Sequence, residues 1–165
     1  MAAALGSASE KRMARYENPT LVLVRGLPGS GKTTLAQAMG RLAGNDERPC
    51  TPSEDRRAIA CAADDFMLGK DGNYQFDPRK LRAAHEACQA ATAKQLRGGG
   101  RVVVHNTFSQ KWEMAPYLAL AALCGATVEV VDLFDAGLTD DELAARNVHG
   151  VPVGAIAAMR ARWEK

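Results

Sequence analysis

Gly26, Leu27, Pro28, Gly29, Ser30, Gly31, Lys32 and Thr33 spell G-x-x-x-x-G-K-[ST], the spacing of a loop that cradles phosphate when it joins a strand to a helix. Glycines there allow positive φ, so backbone N–H groups turn inward toward an anion, and the helix start adds partial positive charge. Lys32 brings a mobile full charge for the β- and γ-phosphates. The Thr33 hydroxyl can coordinate a magnesium ion bridging the same oxygens, with Thr34 assisting nearby. The chemistry implied is binding of ATP with Mg2+.

Further side chains must act on that phosphate. Asp64 and Asp65 close a second strand-like run, and a carboxylate close to a γ-phosphate can accept the proton of an attacking hydroxyl and orient it for in-line transfer. Alternation along a strand sends the two to opposite faces, so only one of them points at the cradle. Asn106 and Thr107 end a third run, and ligands in open parallel sheets gather at the carboxyl ends of strands. Arg146, in the stretch "LAARNVHGVP", would supply a guanidinium to the charge that spreads over a moving phosphoryl group.

The elements that must position these residues alternate between short apolar runs and longer helix-like segments, the pattern of a parallel sheet with helices on its faces. "TLVLVRG", "AIACAADDF", "RVVVHNT" and "TVEVVDLF" read as strands. "GKTTLAQAMGRLAG" reads as a helix closing at Gly44, and "DPRKLRAAHEACQAATAKQLRGGG" opens with Asp77 as N-cap and Pro78 at the first helical position before three glycines stop it. "KWEMAPYLALAALCG" is a helix restarted around Pro116, and two short helices finish the chain, the last with Ile156, Met159 and Trp163 on one face as core packing. Residues 45–57 are polar, carry two prolines and read as a surface loop, and Asp71, Gly72 and Asn73 as a turn.

Composition bounds the rest. The chain has 165 residues, 47% of them hydrophobic and 24% charged, which suits a domain over 20–165 with a flexible tail over 1–19. A net charge of +2 excludes a long electrostatic track along a nucleic-acid backbone, though not a small site that grips one end. Cys50, Cys61, Cys88 and Cys124 form no C-x-x-C pair and read as reduced thiols. There is no apolar run long enough to span a membrane, and charge follows the first apolar patch instead of preceding it, so the expectation is a cytoplasmic protein with no membrane partner.

"RGLPGSGKTTLA", "ADDF", "FDPRKLRAAHEAC", "VVVHNTF", "WEMAPYLALA" and "ELAARNVHGVP" follow one another in an order that resembles small P-loop kinases similar to phage-type polynucleotide 5′-kinase, many of which are labelled only as AAA-family ATPases or ATP-binding proteins. The resemblance spans about residues 20–165. It implies that Asp64 is the general base for a hydroxyl acceptor, that Arg146 is a lid arginine on the transferred phosphate, and that Asn106 and Thr107 lie near the acceptor or the metal's waters. Two departures stand out: where the family has D-N-T-N, this chain reads His105, Asn106, Thr107, Phe108. Without that acid, metal binding rests on Thr33 and on Asp64 or Asp65, and His105 reads as a buried neutral strand residue. His149 is assigned a turn-stabilising hydrogen bond, and His85 packing or capping.

The fold expected is therefore an α/β P-loop NTPase of the nucleotide-kinase type, with a parallel sheet of four or five strands ordered 2-3-1-4 and helices on both faces. The function expected is transfer of the γ-phosphate of ATP to a hydroxyl, with a polynucleotide 5′-OH the leading acceptor. A small-molecule kinase acting on a nucleoside, sugar or antibiotic, and a non-kinase ATP-binding switch, are the alternatives. Only Lys70, Tyr74, Arg79, Lys80 and Arg82 offer a basic, partly aromatic groove.

Overall fold

The computed structural model describes residues 19–42 and 58–165. The expected tail, the Gly44 cap, the 45–57 loop and Cys50 lie outside the described residues.

Four strands form one sheet: β1 (Thr20–Arg25), β2 (Ala58–Cys61), β3 (Arg101–His105) and β4 (Thr127–Asp132). They run parallel in the order β2-β3-β1-β4, as expected, with Val22 opposite Val103 on one side and Glu129 on the other. The middle of β1, Leu21 to Val24, can be apolar because helices cover both its faces. Leu21 and Leu23 join a core with Ile59, Val102, Val104, Cys88 and Leu96 on the side of α2 (Leu81–Arg97) and α3 (Ala115–Leu123). Val22 and Val24 face the other way, onto Ala36 of α1 (Lys32–Leu42). Strand periodicity thus assigns the two layers residue by residue. The outer strand β4 is largely exposed, with Val128 and Val130 at 40% and 49%.

Helix boundaries follow local chemistry. The Asp77 side chain accepts from the Arg79 N–H, and Pro78 opens a 3-10 turn that leads into α2. Another 3-10 turn, Lys111–Met114, precedes α3 and explains the interruption read around Pro116. Thr139 caps α4 (Asp140–Arg146) in a reciprocal box with Glu142. Next, α5 (Val153–Ala161) packs Ile156 and Met159 against Leu143 and Leu27 as expected, while Trp163 of the expected stripe joins the same cluster from beyond the helix end. Arg160 fastens the pair, bonding Asp140 at 2.8 Å, the Leu138 carbonyl at 2.8 Å and Asp135.

One expected boundary is corrected. The run 58–66 does not continue as a strand to the aspartates: β2 stops at Cys61, and residues Ala63–Phe66 wind into a 3-10 turn. Two groups draw the chain inward there, since the Ala62 N–H donates to the Asp65 carboxylate at 2.7 Å and the Ala63 N–H to Asn106 Oδ1 at 2.9 Å.

Arg25, the last residue of β1, is only 3% exposed. Its guanidinium donates to the carbonyls of Phe108 at 3.1 Å, Ser109 at 3.4 Å and Glu164 at 2.7 Å, lies 3.5 Å from the Asp132 carboxylate and stacks 4.2 Å from the Trp163 ring centroid. Phe108 sits at φ 46, a conformation that costs a non-glycine residue, and the Arg25 bond to its carbonyl holds it there. Replacing Arg25 with alanine strands three carbonyls and a carboxylate, so urea unfolding should show a loss of about 2–4 kcal/mol. Arg25→Lys should recover only a minor part, because an ammonium has no planar fork.

Candidate active site

The cradle begins one residue after Arg25. Gly26 N–H donates to the Thr107 carbonyl at 3.2 Å and Leu27 N–H to the Phe134 carbonyl at 2.8 Å, which pins the loop between the ends of β3 and β4. Gly29 and Gly31 take φ of 82 and 94, values that a Cβ disfavours. Gly29 has a second reason to be glycine: a Cβ there would stand 2.3 Å from the Leu143 carbonyl oxygen of α4. Around Gly31 nothing lies within 4 Å of where a Cβ would be, so the cup opens at that point. Pro28 is half-buried, and Leu27 is fully buried in the core beneath α4 and α5.

Two polar groups of the cradle are incompletely matched. The Ser30 hydroxyl is buried without a hydrogen-bond partner, which is unusual for a native side chain. Lys32 folds back so that Nζ donates to the Leu27 carbonyl at 2.9 Å. Burial lowers its pKa to about 8, with the Asp64 charge opposing the shift. An anion in the cup would give both groups what they lack. Thr33 and Thr34 are exposed on the first turn of α1, where a metal-bound oxygen can be reached. Among the described residues no cluster of three or more His, Cys, Asp or Glu could hold a metal.

The two aspartates divide by direction. Asp64 is half-buried and faces His149, whose Nε2 lies 3.5 Å from Oδ2. It also accepts from the Tyr74 hydroxyl, whose pKa burial and that carboxylate both raise. Asp65 turns back to cap the 3-10 turn through Ala62, and burial, the leading cause, raises its pKa despite that bond. Asp64 is thus the carboxylate whose charge reaches Lys32.

Asn106 braces the site, accepting from Ala63 N–H at 2.9 Å and donating to the Tyr117 hydroxyl at 3.5 Å. Thr107 is half-buried and contributes its carbonyl to Gly26. Arg146 ends α4, exposed, and makes no hydrogen bond or ion pair among the described residues. It stands three positions beyond Leu143, whose carbonyl faces Gly29.

The role read for His149 is corrected. Asn147 secures that turn instead, donating to the Ala144 and Val151 carbonyls at 2.8 and 3.2 Å and accepting from Val151 N–H at 2.8 Å. His149 reaches across to Asp64, and its ring lies 4.1 Å from that of Tyr74. A bridge therefore runs from the 147–150 turn to the aspartate. His105 is buried as expected, and burial, with Lys32 and His149 adding, lowers its pKa to about 4. Phe108 is buried edge-on against Tyr117, ring centroids 5.6 Å apart. The asparagine of the resembling pattern would suit its positive φ better.

Sequence reasoning missed Arg25 and the Tyr74–Asp64–His149 group. A charged residue closing an otherwise apolar strand was a signal for Arg25. Nothing local marked the other group, whose members lie far apart in the chain.

Comparison with known proteins agrees with this geometry. The model of the AAA domain family (AAA_33) matches residues 21–165, and the chain belongs to that family, whose fold is of the P-loop kinase type. It is 32% identical to human NEDD4-binding protein 2 over 94% of its own length and spans only 8% of that protein. Among solved structures it resembles a chain of the Pnkp1/Rnl/Hen1 RNA repair complex, with a TM-score of 0.65 and 20% identity over 88% of this chain and 44% of that one. A gluconokinase from Sinorhizobium meliloti gives a TM-score of 0.51 and 18% identity over 89% of this chain and 76% of that one. No helix among the described residues is long and apolar enough to cross a membrane.

Two titrations should report on the site. Unfolded, His105 takes up its proton near 6.5, whereas folded it resists until about 4. Its contribution to stability is therefore complete above 6.5 and lost as the pH falls toward 4. Urea unfolding across that window should show a loss about 2–3 kcal/mol larger in the wild type than in His105→Gln. Lys32 must be protonated to hold an anion, so triphosphate affinity should fall as pH rises through about 8. Calorimetric titration should find binding about tenfold weaker one pH unit above that value than well below it, with no such dependence in Lys32→Ala.

Proposed function

We propose that this chain is an ATP- and magnesium-dependent phosphotransferase whose acceptor is a hydroxyl, with a polynucleotide 5′-OH the leading candidate. The observation that carries the reading is the pairing of an unsatisfied anion cradle with a carboxylate whose charge is felt by its lysine: Ser30 and Lys32 on one side, Asp64 on the other.

In this reading Lys32 and the loop N–H groups hold the β- and γ-phosphates, and Thr33 helps to hold magnesium, which neutralises phosphate charge. Asp64 takes the proton of the acceptor hydroxyl as its oxygen attacks phosphorus in line and ADP departs. Tyr74 and His149 orient that carboxylate. Arg146 swings from solvent onto the transferred group, where a guanidinium is worth most once water is excluded. Asp65, Asn106 and Thr107 shape the acceptor's side of the cup, chiefly by fixing the turn that carries Asp64.

Support for a polynucleotide end comes from the open depression of about 560 Å³ that Tyr74 lines together with Lys70, Lys80 and Asp71, Tyr74 being the residue whose hydroxyl bonds Asp64. The likeness to the RNA repair complex chain is consistent with it. A small hydroxylated acceptor is favoured by a different observation: Arg79 is paired with Asp77 at 3.0 Å and Arg82 with Glu86 at 2.8 Å, which removes two cations from any groove.

The test is γ-labelled ATP with magnesium offered to 5′-OH DNA and RNA oligonucleotides, nucleosides and sugars. Label should appear on a 5′ end, vanish in Lys32→Ala, and fall by a factor on the order of 10²–10⁴ in Asp64→Asn with ATP binding retained. Label on a nucleoside or sugar alone would select the small-molecule reading. ATP bound with no acceptor labelled and no effect of Asp64→Asn would leave a nucleotide switch.

A further inference from the structure

Beneath the turn that carries Asp64, two thiols touch. Cys61, the last residue of β2, and Cys88, in the middle of α2, place their sulfurs 3.3 Å apart. The sulfurs already lie in contact, and bringing them to bonding distance requires a closure of only about 1.2 Å. Both side chains are fully buried, so neither is offered to a large reagent, and a bond between them would be formed by a small oxidant admitted when the covering turn opens.

The surroundings are unlike those of a plain apolar cysteine. The 3.3 Å contact with Cys61, in which either thiol can donate, lowers the Cys88 pKa, with Tyr117 and Asn106 adding, against the effect of burial and of the Asp65 charge. The Tyr117 hydroxyl is itself held protonated, mainly by burial and then by Cys88, so it remains a donor to the sulfur. The thiolate is the form that reacts with peroxide, and a lowered pKa at Cys88 favours it.

We propose that Cys61 and Cys88 are an oxidative modification site that closes to an intramolecular disulfide under hydrogen peroxide. The Cys88 thiolate attacks one peroxide oxygen. The O–O bond breaks, and the departing hydroxide takes up the proton the thiol released, giving water and a sulfenic acid. The Cys61 sulfur then attacks the sulfenic sulfur, the S–O bond breaks, and hydroxide leaves with the Cys61 proton as a second water. Two thiols lose two electrons and one peroxide gains them. The bond would tie β2 to α2 directly below Ala63, whose N–H Asn106 already holds. None of this depends on the phosphotransfer reading.

The experiment treats the full folded chain with millimolar peroxide, blocks remaining thiols in denaturant and maps peptides without reduction. The expected result is loss of two of the four thiols and a Cys61–Cys88 linked peptide lighter by two hydrogens, reversed by dithiothreitol. In Cys61→Ser the link disappears and Cys88 is found as sulfenic or sulfinic acid. Four intact thiols would overturn the proposal. So would a wild-type chain in which Cys88 is oxidised without linkage, or links that join Cys50 or Cys124 instead.

Discussion

A guanidinium gives up its hydration shell to lie at the end of β1, and only a full set of acceptors offsets that loss. Arg25 finds them in the β3–α3 connection, in the last residues of the chain and in Asp132 at the end of β4, with the Trp163 ring stacked against its plane. Three segments distant in sequence are therefore registered to one rigid fork on β1. The phosphate loop starts at the next residue, so whatever fixes Arg25 fixes the mouth of the cup. The same fork holds Phe108 in its costly backbone conformation, so the strain is maintained by the group that organises the strand ends.

A second cation lies seven residues further on under opposite conditions. Arg25 is surrounded by acceptors and is structural. Lys32 has one backbone carbonyl and a nearby carboxylate, and its proton is loosened accordingly. Near neutral pH its charge is retained at a cost in stability, because burial favours the neutral amine and that contribution is fully present only above its unfolded value. Satisfaction distinguishes a cation that fixes the backbone around it from one whose charge is only partly matched.

What the sequence made legible was local or periodic. The phosphate loop, the Asp77 cap, the Asp71–Asn73 turn and the alternation of strands with helices all depend on residues close together in the chain or on a regular period. The end of β2 was not legible, because the chain leaves the sheet after Cys61 where Ala63 bonds Asn106, forty-three positions further along. His149 was legible as part of a turn but not as the partner of Asp64, since the separate loops that bring Tyr74, Asp64 and His149 together leave no shared spacing. Two of four scattered cysteines meet for the same reason: β2 and α2 lie side by side in space, which composition cannot report.

The approach of the Leu143 carbonyl to Gly29 bears on what variation among related chains can reveal. That contact joins a backbone oxygen to the place where a side chain is missing. Any residue at position 143 supplies the same oxygen, and Leu143 is constrained for another reason, its burial against Leu27 and Ile156. Covariation between the two positions should therefore be silent, even though α4 cannot shift toward the loop without meeting it. The coupling between phosphate loop and α4 is written in glycine at one end and in nothing at the other.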